Sequence, residues 1–324
     1  MTDKIQIERP VSEAFDRFQT EFARALHSEV ETVRAAVETI HSSSGKHIRP
    51  LLLLLTAEAC GGVHAASVHA AVLLELLHTA SLIHDDVVDD TKQRRGALSL
   101  NAIHDNRIAV LVGDFIIAHA LIRAVQLGDM QIVGIMAKLS LAMAEGEIKQ
   151  LENADKLILT EEDYFVVLEK KTAVLLASCT EIGAITAGAP AKLQETCRTF
   201  GKLLGYCFQI KDDIFDCFED SQTGKPSGND LREGKVTLPL LHALETASPA
   251  EQAPYMDMLL EKDFTPDNIA ALLRFAREKG GIEYAEARMN GFREQASAII
   301  RTLPASEARD SLLLLADYLA ERTG

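Results

Sequence analysis

Apolar residues recur along most of this chain at helical spacing. Between Ala65 and Asp90, Leu73, Leu76, Leu77, Ala80, Ile83 and Val87 follow an i, i+3, i+4, i+7 rhythm, the mark of a helix that buries one broad stripe. The same period predicts helices over 11–41, 47–60, 106–126, 130–152, 161–187, 191–218, 235–246, 266–279, 281–302 and 305–322, and no sustained period-2 alternation predicts a strand. Breaks fall where turn residues collect: Ser42-Ser43-Ser44-Gly45, Gly61-Gly62, Arg95-Gly96, Gly188-Ala189-Pro190, the stretch 221–234, and around Pro254 and Pro266. None of these breaks is long or biased enough for an interdomain linker, and no fixed-period repeat interrupts the pattern. The expectation is an all-α fold, a single domain over 1–324 built as one large bundle of helices.

Composition narrows the class. Hydrophobic residues make up 47% and charged residues 25%, which suits a packed globular chain and excludes a disordered one. The net charge of -15 disfavours a nucleic-acid partner, whose binding surface is basic. The five cysteines, Cys60, Cys179, Cys197, Cys207 and Cys217, are odd in number and contain no CxxC pair. That pattern fits reduced thiols rather than a disulfide framework or a zinc site. Asp3 and Glu8 stand early and no signal-peptide apolar stretch follows. The most apolar run, Leu51 to Ala57, ends at Glu58 and is too short to span a bilayer. A cytoplasmic protein with no stable membrane insertion is expected.

Two aspartate clusters carry the candidate chemistry: His84-Asp85-Asp86-Val87-Val88-Asp89-Asp90 and Gln209-Ile210-Lys211-Asp212-Asp213-Ile214-Phe215-Asp216. Each holds Asp-Asp-x-x-Asp on a predicted helix, so Asp85 and Asp89, and likewise Asp212 and Asp216, lie one turn apart on one face. The first stripe extends back to His78 and the second to Gln209. Like charges at this spacing destabilise a helix by a few tenths of a kcal/mol per pair, and a bound cation relieves them. Carboxylate oxygens suit a hard ion, and one or two carboxylates with phosphate oxygens and waters is the usual Mg²⁺ environment. A solvated acidic helix end is the plain alternative for one cluster. Two copies of the same spacing in apolar helices argue against it.

Basic residues supply a second half. Arg94-Arg95-Gly96 follows the first cluster. Gly45-Lys46-His47-Ile48-Arg49-Pro50 opens a helix, Lys170-Lys171-Thr172 sits within one, and the loop 223–235 adds Lys225 and Lys235. Arginine offers phosphate a bidentate fork and lysine a point charge. In so acidic a chain, this arrangement points to clamps for metal-bound phosphate.

These motifs resemble those of the trans-prenyl diphosphate synthases, the polyprenyl synthetase family. Gly-Lys-x-x-Arg-Pro, Leu-x-His-Asp-Asp-x-x-Asp with Arg-Arg-Gly, Lys-Thr, Phe-Gln-Ile-x-Asp-Asp-x-x-Asp and Gly-Lys-x-x-Gly-x-Asp occur in that order between Gly45 and Lys235. The resemblance implies an all-α bundle around a central cavity and a homodimer. It also implies that Asp85, Asp86, Asp89, Asp212, Asp213 and Asp216 hold two or three Mg²⁺ ions, with Mn²⁺ as a possible substitute, against an allylic diphosphate. Arg94, Lys171, Lys225 and Lys235 would contact that diphosphate, with Thr172 and Gln209 nearby. Lys46, Arg49, His78 and Arg95 would bind isopentenyl diphosphate. Two departures from the family pattern are Ser44, where many members have a second glycine, and the ending Arg322-Thr323-Gly324, where many have a terminal basic residue.

The chemistry that the resemblance implies is ionisation of the allylic C–O bond, attack by the double bond of isopentenyl diphosphate, and loss of a proton to the departing diphosphate. Charge neutralisation and proximity drive it. The product is expected to run from Asp85 back along its helix, past Ala80 and Ser81, then Leu77, Leu74 and Leu73, one turn of about 5.4 Å at a time. Short-chain members often put a bulky aromatic four or five residues before the first aspartate, where this chain has the small Ala80 and Ser81. With the segment 144–151, this predicts a medium- or long-chain product, hexaprenyl to decaprenyl, for quinone side chains. The alternative is a geranylgeranyl or farnesyl diphosphate synthase. A terpene cyclase, a regulatory synthase subunit and a purely structural helical protein are the rival classes. A cyclase would not need Lys46, Arg49 and Arg95, a regulatory subunit would lack aspartates, and a structural protein would release no diphosphate.

Overall fold

In a computed structural model of the chain, residues 2–42, 45–94, 96–218 and 228–321 are described. In chain order they form α1 (Thr2–Glu8), a 3₁₀ turn (Arg9–Val11), α2 (Ser12–Ala25), α3 (Glu31–Ser42), α4 (Ile48–Cys60) and α5 (Ala65–Val88). The two-residue strands β1 (Gln93–Arg94) and β2 (Ala97–Leu98) precede α6 (Leu100–Ile103), α7 (Asn106–Leu127), α8 (Met130–Lys156) and α9 (Glu161–Leu168). A π-helical turn (Glu169–Ala173) joins α9 to α10 (Val174–Thr186), and α11 (Ala191–Asp216) and α12 (Asn229–Arg232) follow. The chain closes with α13 (Leu238–Thr246), α14 (Pro249–Leu260), α15 (Pro266–Glu278), α16 (Gly281–Ile300) and α17 (Glu307–Glu321). The all-α expectation is met.

The differences from the sequence reading are local. The helix read over 11–41 is two helices, α2 and α3, separated at 26–30. α14 forms across Pro254, which the sequence reading treated as a break. A capping box between Ser248 and Glu251, with Pro249 in the first turn, sets its start. Antiparallel pairing of β1 with β2, in the register Gln93↔Leu98 and Arg94↔Ala97, was not predicted, because two residues are too few to show alternation.

The chain divides into two compact units. The first takes its described residues up to Ser140, with Ser178–Arg198 and Arg301–Leu312; the second takes Leu141–Ala177, Thr199–Ile300 and the described residues from Leu313 onward. In the first unit α5 is the central helix, packed by α2, α4, α6 and α7. α2 presents Phe15, Phe18 and Phe22 on one stripe, and Leu51 to Leu55 of α4 are buried on every side. Each such leucine contributes about 1.5–3 kcal/mol relative to exposure. In the second unit α13 packs against α15 and α16, and its core joins Leu168, Ile210, Ile214, Leu240, Leu272 and Phe275.

By length and composition α5 and α7 could each cross a membrane. The reading of Leu51–Ala57 as the most apolar run followed uninterrupted apolar residues and passed over these two longer helices, each of which carries three charged residues. Most of the apolar window of α5 is buried within its unit, whereas only 33% of that of α7 is. All five cysteines are free.

Candidate active site

Both aspartate clusters sit at helix C-termini. α5 ends at Val88 with Asp89 as its C-cap, and Asp90 adopts a left-handed conformation (φ 48°). α11 ends on Asp216 itself. The C-terminal end of a helix carries the negative pole of the backbone dipole, so carboxylates there are doubly unfavourable, and neither last turn contains a basic residue. Local physics therefore favours cations at both places. The donor set, all carboxylate oxygen, fits a hard divalent ion. Among the described residues no group of three or more His, Cys, Asp or Glu side chains forms a metal cage.

In the first unit, the β1–β2 hairpin folds Arg94 back onto the first cluster. Its Nε donates to Asp86 Oδ1 at 2.8 Å, and its Nη2 lies 2.7 Å from the same oxygen. The Asn101 side chain donates to the Asp86 carbonyl at 3.1 Å. Asp86 is buried, while Asp85 and Asp89 on either side of it are half-buried. A cavity of about 70 Å³ is lined by Gly45, His47, Glu75, His78, Asp86 and Arg94, among others. The structure thus brings His78 and Arg94 together. Arg49 lies in the first turn of α4, but Lys46 precedes that helix and is exposed, because His47 enters with a left-handed backbone (φ 50°). Lys46 and Arg49 therefore do not stand on one helix. Arg95 lies outside the described residues.

Sequence reasoning missed Glu75. It is buried in the run Leu73-Leu74-Glu75-Leu76-Leu77, one turn before His78, and its Oε1 lies 2.8 Å from His47 Nδ1. The His47 ring stands edge-on to Phe18 and Phe22. A lone carboxylate inside a leucine run was the available signal, since a buried charge needs a partner.

In the second unit, Lys171 and Thr172 ride on the π-helical turn, a distortion common at functional sites. Two glycines allow it to form. A Cβ on Gly146 of α8 would stand 2.8 Å from Lys170 Cβ, and one on Gly205 of α11 would stand 2.4 Å from Ala173 Cα. Lys171 pairs with Glu147 and donates to Gln150 Oε1 at 3.1 Å. Thr172 Oγ1 donates to Gln209 Oε1 (2.8 Å), whose Nε2 donates to Asp213 Oδ1 (2.9 Å). Tyr164 donates to the other oxygen, Asp213 Oδ2, at 2.6 Å. Both Asp213 oxygens are thus committed to protein donors. Burial still dominates, raising its carboxyl to about 7 against the help of these bonds.

Asp216 has a further role. Its two oxygens accept the backbone N–H groups of Asn229 (2.9 Å) and Asp230 (3.1 Å), anchoring the returning chain at α12. Burial raises its carboxyl above the usual range, and Asp230 beside it is raised much further, by burial and by Asp213 and Asp216. Asp212 is half-buried. Lys235 pairs with Glu233 at 2.5 Å. A cavity of about 190 Å³ is lined at one part by Lys171, Thr172, Gln209, Asp213, Asp230 and Lys235 and elsewhere by leucines and valines. Tyr164 went unnoticed in the sequence, and Asp230 entered it only as the last residue of the Gly-Lys-x-x-Gly-x-Asp motif, with no role of its own. Lys225 and Arg322 lie outside the described residues, as does Ser44.

Of the expected chain-length positions, Leu74, Leu77 and Ala80 are buried, Ala80 with 0% exposure. Ser81 is half-buried, and its hydroxyl donates to the His78 carbonyl at 2.9 Å. Ser81 shares the face of Asp85 one turn on, whereas Ala80 faces packed side chains.

Comparison with known proteins places these features. Residues 30–275 match the polyprenyl synthetase family. The chain is 36% identical over 298 residues to the octaprenyl diphosphate synthase of Escherichia coli K12, covering 92% of each. Its fold is similar to a polyprenyl synthase from Caulobacter crescentus, solved with calcium and isoprenyl diphosphate (TM-score 0.93, 31% identity, 99% of this chain and 98% of that one). It is also similar to a geranylgeranyl pyrophosphate synthase from Bacteroides thetaiotaomicron (TM-score 0.87, 38% identity, 99% and 100%). With both aspartate motifs and the family's order of basic motifs present, the chain belongs to the polyprenyl synthetase family and is an enzyme, a trans-prenyltransferase of all-α isoprenoid-synthase fold.

Proposed function

We propose that this chain, read as one synthetase domain, catalyses the head-to-tail (1'-4) condensation of isopentenyl diphosphate with an allylic diphosphate. The product is an all-trans polyprenyl diphosphate of medium or long chain, a precursor of quinone side chains. The observation that carries the reading is the pair of Asp-Asp-x-x-Asp clusters, each at the negative end of a helix, with Arg94 folded onto the first and Thr172 and Gln209 wired to the second.

Asp85, Asp86 and Asp89 of the first cluster, and Asp212, Asp213 and Asp216 of the second, hold two or three divalent ions, Mg²⁺ in preference and Mn²⁺ as a substitute. When bound, the ions neutralise diphosphate charge and make it a leaving group. Arg94, Lys171, Lys225 and Lys235 contact the allylic diphosphate and stabilise the charge that develops as the C–O bond ionises. In the present structure Arg94 pairs with Asp86 and Lys171 with Glu147, so both cations sit beside carboxylates until diphosphate competes for them. Lys46, Arg49, His78 and Arg95 bind isopentenyl diphosphate and orient its double bond. The released proton goes to the departing diphosphate.

Ser81, on the face of Asp85, is the position proposed to gate product length. The relative from Escherichia coli is named for an octaprenyl product, which supports the longer reading; the Bacteroides structure is named for a geranylgeranyl one, which is the second reading. A homodimer is part of the proposal. α7 leaves Val110, Leu111, Leu121, Ile122 and Val125 exposed, an apolar face that a second copy would cover. The free thiols support a cytoplasmic setting.

The test is a product-length assay. Purified protein with Mg²⁺ and labelled isopentenyl diphosphate is given dimethylallyl, geranyl, farnesyl or geranylgeranyl diphosphate, and chain length is read by mass spectrometry, with a chelator control. Products beyond geranylgeranyl from a farnesyl starter, lost on chelation, are expected. A stop at farnesyl or geranylgeranyl selects the short-chain reading. No condensation with any starter overturns the synthase function proposed for this chain alone.

A further inference from the structure

Away from the aspartates, two thiols meet. Cys60 is the last residue of α4 and Cys197 lies in the second turn of α11; their sulfurs are 3.6 Å apart, both within the first unit. The two environments differ. Cys60 is half-buried, whereas Cys197 has no exposure and its carbonyl is held by Thr180 Oγ1 at 2.7 Å. With Cys197 donating its S–H, the Cys60 thiol is lowered below its usual range and Cys197 is raised above it. The surrounding wall is apolar: Ala184, Ala189 and Leu193.

The other three cysteines are different. Cys179, Cys207 and Cys217 are buried, and burial pushes each thiol up to about 12. Cys207 and Cys217 also donate to backbone carbonyls of Met289 and Asp213 at 3.4 Å. Reactivity follows thiolate character and access, so only Cys60 combines the two.

We propose that Cys60 and Cys197 form a peroxide-responsive dithiol/disulfide site that ties the end of α4 to the start of α11. The Cys60 thiolate attacks one oxygen of a hydroperoxide; the O–O bond breaks, Cys60 becomes a sulfenic acid, and hydroxide leaves and takes up the thiol proton as water. The Cys197 sulfur then attacks the Cys60 sulfur, the S–O bond breaks and a second water leaves with the Cys197 proton. Two thiols are oxidised by two electrons and one hydrogen peroxide is reduced to two waters. The sulfurs must approach by about 1.5 Å to reach the ~2.05 Å of a disulfide. The movement falls on Cys60, which ends its helix just before Gly61 and Gly62, both with left-handed-side φ values of 152° and 119°. Thioredoxin-type dithiols reverse the bond.

The test uses the whole chain. Native protein is treated with hydrogen peroxide, then alkylated, unfolded and mapped by mass spectrometry. The expected result is a fall from five free thiols to three, one cross-linked peptide pair holding Cys60 and Cys197, reversal by dithiothreitol, and a thermal midpoint several degrees higher when oxidised. Cys60→Ser, at a half-buried helix end, should keep its remaining four thiols under the same treatment. Five thiols surviving in the wild type would overturn the proposal. So would Cys60 sulfinic acid beside an intact Cys197 thiol, or a disulfide that joins two chains instead of these two residues.

Discussion

The π-helical turn that carries Lys171 and Thr172 offers the sharpest test of how packing reaches chemistry. Replacing Gly205 by alanine adds a Cβ 2.4 Å from Ala173 Cα, 2.8 Å from its Cβ and 3.2 Å from its N. Carbon atoms settle at about 3.5–4.0 Å, so the turn or α11 must give by about 1 Å. The turn has little room to give, because Lys170 and Lys171 already press on α8 at Gly146. Overpacking of this kind costs about 1–3 kcal/mol. A shift of about 1 Å in a substrate-positioning group can cost on the order of 100-fold in rate. Displacement of Thr172 also strains the chain of bonds through Gln209 to Asp213. For Gly205→Ala the expectation is a stability loss of about 1–3 kcal/mol in urea unfolding, with kcat/KM for the allylic starter falling on the order of 10–100-fold. Gly134→Ala is the matched control: it is also a helical glycine, but a Cβ there meets nothing within 4 Å. It should be neutral or slightly stabilising. If Gly205→Ala matches Gly134→Ala in both stability and allylic kinetics, the close approach of α11 does not position Lys171 and Thr172, and the argument fails.

Two further expectations follow from single residues. Ser81→Phe should shorten the product, while Ala80→Phe, at a position with no exposure, should mainly cost about 1–3 kcal/mol of stability; an unchanged product distribution for Ser81→Phe would show that the product does not pass that face of α5. Glu251 is held at about 2, below its ordinary 4.5, first by Lys279 and then by its bonds to Ser248, so its contribution is present above about 4.5 and lost as pH falls through about 2. Thermal midpoints followed from pH 5 to pH 2 should fall more for the wild type than for Glu251→Gln, and parallel curves would contradict that linkage.

Helices, their apolar faces and both aspartate clusters were legible in the chain because each is set by neighbours within about one turn. The rhythm from Leu73 to Val87 fixes which face of α5 is buried, and i, i+4 spacing puts Asp85 over Asp89. The order of motifs from Gly45 to Lys235 was equally plain, and it identified the family. Local rules failed where two short-range signals competed, as at Pro254, where the Ser248–Glu251 cap started a helix in spite of the proline.

What linear spacing could not supply were meetings between distant residues: Glu75 with His47, Tyr164 with Asp213, Asp216 with the N–H groups of Asn229 and Asp230, and Cys60 with Cys197. None is marked by spacing, because each depends on how whole helices dock, and docking is a sum of many small burial energies spread over the units. Those contacts decide which carboxylates are already committed to protein donors and which thiol can react. The residue types set the available chemistry; packing distributes it among the residues.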